Sequence, residues 1–164
     1  MTRRNLNQLL ASWGLGAGPR ARPAADVPPA VPRDDALLLT DAQWRERLGA
    51  AAYDVLRHEG TEHPYTSALN DEKRAGRYLC AGCGLALFDA RAKFDSGTGW
   101  PSFFAALPGA IETRVDHQLI MPRTEYHCAR CGGHHGHVFN DGPAPTGQRH
   151  CNNGVALRFV PDAD

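Results

Sequence analysis

Four of the chain's five cysteines fall into two pairs, and the fifth stands apart. Cys80 and Cys83 stand in CAGCG, Cys128 and Cys131 in CARCGG, and Cys151 in RHCNN. A CxxC turn followed by glycine aims two thiolates to one side and relieves the backbone where its amides approach sulfur. Two such turns complete a tetrahedral four-sulfur site, the zinc-knuckle pattern. The 45 positions from Cys83 to Cys128 exceed the spacing of a simple zinc ribbon, but a β-domain can still join the pairs. A redox CxxC and two disulfides are the competing readings; duplicated CxxCG units favour one structural Zn2+, because intracellular thiols are normally kept reduced. With four protein thiolates the ion has no open position, so any catalytic centre lies elsewhere.

Cys151 is the candidate for that centre. A thiol is a nucleophile only as thiolate, and a nearby cation or hydrogen-bond donors lower its pKa toward that form. Arg149 and Asn153, two residues to either side, share its face if the segment is a strand, with His150 turned to the other face. The alternative for an isolated cysteine is a small buried apolar residue. In GGHHGHVFNDGP, glycines flank His134 and His137, a loop able to present imidazoles to a pocket, with Asp141 placed to orient one of them. HxxH also suits a metal pair, but no third ligand motif is near. In FDSGTGWPSF, Gly97, Gly99 and Pro101 constrain a loop that holds up Trp100 as a pocket wall.

The elements that must carry these residues are mostly strands. Thr40 followed by Gln43 is a capping-box pattern that starts a short helix near residue 41, with Leu39 placed to staple against Trp44. AAAYDVLRHEG gives a second helical piece, with Gly60 placed to end it. Beyond Gly60, short β-type runs (RYLC, LALF, IETRV, QLIMP, TEYHC, HVF, VALRF) alternate with Gly, Pro, Asn and Asp. Their connections are mostly too short for parallel crossovers, so antiparallel pairing is expected.

The organisation expected is an arm over residues 1–36 and one domain over 37–164, within the size of a single domain. Five of the twelve prolines lie between Pro19 and Pro32, a composition that favours disorder. Arg3 and Arg4 precede a weakly apolar run, a degenerate twin-arginine export signal interrupted by Asn5, Asn7 and Gln8. Lys plus Arg and Asp plus Glu both number 18 and are interspersed, which disfavours a polyanion or an anionic membrane as partner. No stretch reaches the ~20 apolar residues of a membrane-spanning helix.

Taken together, HPYTSALN, the two CxxCG units, KFDSGTGWPSF, HHGHVFNDGP and RHCNNGVALRF resemble the B-type methionine-sulfoxide reductases, over roughly residues 38 to 161. The resemblance implies a mainly β fold with minor α: two antiparallel sheets in a barrel-like or tent-like zinc-stabilised domain with short N-terminal helices. It implies thiol-dependent reduction of the R epimer of methionine sulfoxide in oxidised proteins or peptides, a repair activity. Cys151 matches the nucleophile that becomes a sulfenic acid, His134 and His137 the proton donors, and Trp100 the wall for the S-methyl group. Asn153, Arg149 and Asp141 match supporting positions around the oxygen, the thiolate and the histidines. Many relatives carry a resolving cysteine where this chain has Thr98. The expected reductant is therefore an external thiol: thioredoxin, glutaredoxin or glutathione. A monomer in the cytoplasm is expected, with export or an organelle as alternatives. Two rival readings are a zinc-stabilised β-domain that binds peptide or nucleic acid without chemistry, and a zinc hydrolase using His134 and His137.

Overall fold

The computed structural model describes residues 34–117 and 121–163. The arm expected over 1–36 lies, apart from its last three residues, outside that range, as does most of the expected strand QLIMP. Helix α1 (Asp41–Arg47) begins where the capping box places it, with the Thr40 hydroxyl accepting from the Gln43 amide and the Gln43 side chain accepting from the Thr40 amide. Helix α2 (Ala50–His58) follows, and its end is set by Glu59, which takes the left-handed conformation expected of Gly60. Gly60 is required for another reason: a Cβ there would meet the Asp54 carboxylate at 2.0 Å.

Among the described residues, nine strands form two antiparallel sheets. The smaller has the order β2 (Ala86–Asp89), β1 (Gly76–Cys80), β9 (Leu157–Pro161). The larger runs β3 (Lys93–Phe94), β4 (Ser102–Phe103), β8 (Arg149–Asn152), β7 (His134–Phe139), β6 (Arg123–Cys128), β5 (Ile111–Asp116). The sheets do not close into the barrel-like form expected. Closure needs tilted edge strands long enough to continue the ladder, and β3 is two residues long. β3 and β4 lie within the segment the sequence presents as a Gly-Pro loop, so neither is legible as a strand.

Alternating burial in β1 puts Tyr78 into the core, where Tyr126 of β6 joins it with Leu87, Phe88 and Phe103, all fully buried. Phe88 stacks on Phe103 at 4.3 Å and meets Tyr126 edge-on at 6.1 Å; aromatic pairs in these geometries contribute ~0.5–1.5 kcal/mol beyond the area they bury. The helices cover one end. Trp44, Tyr53, Val55 and Leu56 face inward, and two arginines tie the helices to the cysteine turns: Arg47 Nε donates to the Gly82 carbonyl at 2.6 Å and Arg57 Nη1 to the Cys131 carbonyl at 2.9 Å.

Candidate active site and metal centre

The two cysteine turns are built alike. In each, the amide of the first cysteine donates to the carbonyl five residues on, Leu85 or Gly133, and its own carbonyl accepts from the amide four residues on, Gly84 or Gly132. Both of those glycines have positive φ, +77° and +65°, which a Cβ would oppose. One turn joins β1 to β2 and the other β6 to β7, so the pairs come from different sheets. Their four sulfurs lie within 4.8 Å of one another, with 3.7 Å from Cys80 to Cys131 and 3.4 Å from Cys83 to Cys128. All five cysteines are free, and these separations far exceed a ~2.05 Å disulfide. They approach the ~3.8 Å edge of a tetrahedron with ~2.3 Å metal–sulfur bonds. The four sulfurs are placed to hold one metal ion.

The second centre is a row of side chains across the larger sheet. Cross-strand pairing sets Arg114 opposite Glu125, Glu125 opposite His137, His137 opposite Cys151, and Cys151 opposite Ser102. Residues directly opposite share a face, so these five stand side by side. His134 and His137 are three apart, and a regular strand would put them on opposite faces. A bulge beside Tyr126 and His127 removes that mismatch. The two imidazoles then lie 5.6 Å apart, and His134 Nδ1 donates to Glu125 at 2.6 Å. Gly136 lets β7 approach β8: a Cβ there would meet the Cys151 carbonyl oxygen at 1.9 Å.

Cys151, half-buried, opens on a cavity of about 140 Å³ shared with Trp100, Phe139, Arg123, His137 and Asn153. That is below the ~300–1,000 Å³ of drug-sized sites, so it admits a side chain rather than a peptide. Trp100 is fixed by its indole N–H, which donates to the Glu62 carbonyl at 3.1 Å. Its loop is strapped down by Tyr65, whose amide donates to the Gly99 carbonyl and whose hydroxyl donates to the Gly97 carbonyl, both at 2.7 Å. Glu62 also holds the chain beyond Cys151. Its carboxylate accepts from the Gly154 and Val155 amides, and its own amide donates to Asn153 Oδ1 at 3.0 Å.

Burial pushes the Cys151 thiol above its ordinary value, and the Arg149 guanidinium and the Thr98 hydroxyl pull it back only in part. The sequence reading weighed the cation and not the desolvation, which wins here. His137 is lowered by burial, against the carboxylate of Asp116. Burial raises Glu125, but hydrogen bonds from Arg114 and His134 carry it below the usual carboxylate range. At rest the cavity therefore holds a neutral thiol beside a ring biased toward the neutral form.

The structure brings Cys151, His137, Trp100 and Asn153 to the cavity, with Arg149 beside the sulfur and His134 behind His137. Asn153 is anchored at both ends of its amide: its oxygen accepts from the Glu62 amide, and its nitrogen donates one of its two hydrogens to the His135 carbonyl at 3.0 Å. Asp141 does not touch a histidine. Its carboxylate takes a two-point grip on Arg149, at 2.8 and 3.0 Å, and Arg149 lies over the Phe139 ring at 4.4 Å. The carboxylates on the histidines are Glu125 for His134 and Asp116 for His137, the latter at 2.8 Å. Sequence reasoning missed Glu62, Asp116, Arg123 and Glu125. Asp116 and Arg123 bracket the β5–β6 connection and face each other across it, but only a known register reveals that pairing. His150, assigned no part, lies in the core against Phe88 and Tyr126. Among the described residues the metal-type group of three or more ligands is the cysteine cluster, and His134 and His137 are each in contact with a carboxylate instead.

The SelR domain model matches residues 48–161. The chain is similar to proteins named peptide methionine sulfoxide reductase MsrB. It is 48% identical to that of Bradyrhizobium diazoefficiens over 132 residues, covering 78% of this chain and 93% of the relative. It is 52% identical to that of Thiobacillus denitrificans, covering 74% and 93%, and 53% identical to that of Pseudomonas putida, covering 73% and 90%.

The opposing influences on Cys151 make its ionisation testable. Alkylation by iodoacetamide, followed against pH on the metal-loaded protein, should give a midpoint above the ~8.5 of a free thiol. Arg149→Met removes a cation that favours thiolate, so its midpoint should be higher still, and alkylation near pH 8 slower than in wild type.

Proposed function

The chain belongs to the SelR-domain family of B-type peptide methionine sulfoxide reductases, and from that membership we propose that it is an oxidoreductase reducing methionine-(R)-S-oxide in proteins and peptides, a repair activity. One observation carries the reading at the level of the site: Cys151 and His137 stand opposite each other on adjacent strands and open on the same cavity, walled by Trp100.

In the mechanism proposed, the methionine sulfoxide side chain enters with its S-methyl group against the Trp100 ring. Cys151 Sγ attacks the sulfoxide sulfur while the oxygen is protonated; oxygen is a poor leaving group otherwise. His137 is the donor nearest the sulfur in the row, and His134 sits behind it. The net change is Cys–SH plus sulfoxide giving Cys–SOH plus thioether. The cysteine sulfur is oxidised by two electrons, the methionine sulfur is reduced by two, and the proton that leaves Sγ ends on the transferred oxygen. Arg149, held by Asp141, favours the thiolate at the moment of attack. Asn153, held in place through Glu62 and the His135 carbonyl, has a second N–H to offer the sulfoxide oxygen or the thiolate.

Thr98, beside the nucleophile, has no thiol to offer, and the other four cysteines belong to the metal site. The sulfenic acid is therefore reduced by an external thiol: one thiol displaces water to form a mixed disulfide, and a second releases Cys151 and leaves as the disulfide. Thioredoxin, glutaredoxin and glutathione are reductants of this class. The metal is assigned as one zinc ion with a structural role, on the grounds that four soft thiolates at tetrahedral separations suit zinc and leave it no open position. A reducing compartment such as the cytoplasm suits five free thiols. The alternative of a binding module without chemistry is not favoured by the family assignment.

Three measurements test these assignments. With dithiothreitol, the protein should consume the R epimer of a peptide methionine sulfoxide and spare the S epimer, and Cys151→Ser should abolish turnover while oxidised peptide still binds; turnover by that variant would overturn the role of Cys151. Mass spectrometry after one turnover without added thiol should find sulfenic acid at Cys151; an intramolecular disulfide there would contradict direct external reduction. Metal analysis should find one zinc per chain, and Cys128→Ser should lose it together with much of the ~10 kcal/mol scale of binding energy that couples such a site to folding, read as a fall in the thermal midpoint; iron in zinc's place would overturn the assignment.

A further inference from the structure

His137 is held by a carboxylate that no sequence motif marks. Its Nε2 lies 2.8 Å from Asp116 Oδ2, and the same oxygen accepts from Arg123 Nη2 at 2.6 Å. All three groups are largely buried, with side-chain exposures of 14% for His137, 9% for Asp116 and 30% for Arg123. Asp116 closes β5 and Arg123 opens β6, directly opposite each other. Arg123 also lines the cavity with Cys151 and Trp100, and its Nε is buried without a partner.

Resting on the reading that His137 supplies the proton in sulfoxide reduction, we propose that Asp116 is its positioning residue, fixing ring orientation and tautomer through Nε2–H, and that Arg123 tunes this by sharing the same carboxylate oxygen. A carboxylate accepts only, so the neutral ring must carry its hydrogen on Nε2. The same carboxylate then stabilises the charged ring once Nδ1 is also protonated, as carboxylate–imidazole pairs do elsewhere. Arg123 opposes this, since a guanidinium on Asp116 Oδ2 draws off part of the negative charge that would favour imidazolium.

The other groups facing the ring are few. On β7 itself His134 lies 5.6 Å away and disfavours a second positive charge. On β6, Glu125 stands opposite His137 but is engaged by His134 and Arg114. On β8, Cys151 is the opposite residue, with Arg149 held by Asp141. From α2, packed on the same strand, Arg57 turns to the Cys131 carbonyl, and Glu59 just beyond the helix turns to Arg114. Asp116 is therefore the carboxylate in contact with His137, and the balance against burial rests on it.

The signs follow. Reaction requires thiolate with imidazolium, a proton isomer of the resting thiol–imidazole pair, so the rate of the first step rises as pH rises through the His137 pKa, and the level it reaches falls when that pKa falls. Asp116→Asn removes the group that raises that pKa, and the ascending limb should move to lower pH. Arg123→Met removes the guanidinium that shares Asp116 Oδ2 with His137, and the limb should move to higher pH. A carboxylate in contact shifts such a group by about one unit or more, so the rate above the limb should fall about tenfold in the first variant and rise in the second.

The experiment is single-turnover methionine formation from an R-sulfoxide peptide against pH, without added thiol, for wild type, Asp116→Asn and Arg123→Met. Opposite displacements of the limb support the proposal; coincident limbs, or displacement in the same direction, overturn it. A wild type that forms no methionine would instead fail the underlying reading. Should Asp116→Asn not fold, the Arg123→Met limb and the nitrogen NMR shifts of the wild-type His137 ring decide: hydrogen on Nε2 is expected, and hydrogen on Nδ1 overturns the proposal.

Discussion

The close approach of β7 to β8 is the constraint on which the site depends. Gly136 leaves room for the Cys151 carbonyl where any side chain would collide with backbone, and that contact fixes the register in which His137 faces Cys151. A one-residue slip would turn every side chain of β8 over, sending Cys151 into the core and His150 into the cavity. His150 guards against this, because its ring is wedged among Phe88 and Tyr126 and its Nδ1 donates to the Phe103 carbonyl at 3.1 Å. The core on one face of the sheet thus sets the chemistry on the other.

The metal site acts on the same register from a distance. Its two turns close the β1–β2 and β6–β7 hairpins, one from each sheet, so four metal–sulfur bonds would pin the sheets together at the foot of β7. The bulge that places His134 on the catalytic face lies just beyond the second turn, where β6 runs into Cys128. A rigid turn there favours a bulge that a free hairpin would relax. Arg47 and Arg57 extend the clamp to the helices through the Gly82 and Cys131 carbonyls.

What was legible in the sequence was local. The capping box, the two CxxCG turns and most of the short β-type runs rest on contacts within a few residues and appear where their patterns put them, though the first residues of VALRF form a 3-10 turn and QLIMP lies mostly outside the described residues. So do the residue types around Cys151. The illegible parts rest on pairings between distant segments. β3 and β4, two residues each, are strands only because they pair with each other and β4 pairs with β8. The carboxylate for each histidine could not be chosen, since Asp141 is nearer in sequence than Asp116 or Glu125 and only the β5–β6–β7 register decides among them. The sign of the Cys151 shift was hidden for the same reason, because desolvation depends on what the fold packs around the sulfur.

Electrostatics complete the picture. Three arginines on the strands around Cys151 and His137 are each held by carboxylates: Arg114 by Glu125 and Glu59, Arg123 by Asp116, and Arg149 by Asp141. Each guanidinium is thus met by charge of the opposite sign. An unpaired ion in the same place would bear a desolvation cost of several kcal/mol. The arrangement lets a buried thiol and a neutral imidazole persist together, while leaving a guanidinium next to the sulfur and a carboxylate on the ring. Charge separation from thiol to imidazole is therefore opposed by the low dielectric and assisted at both ends.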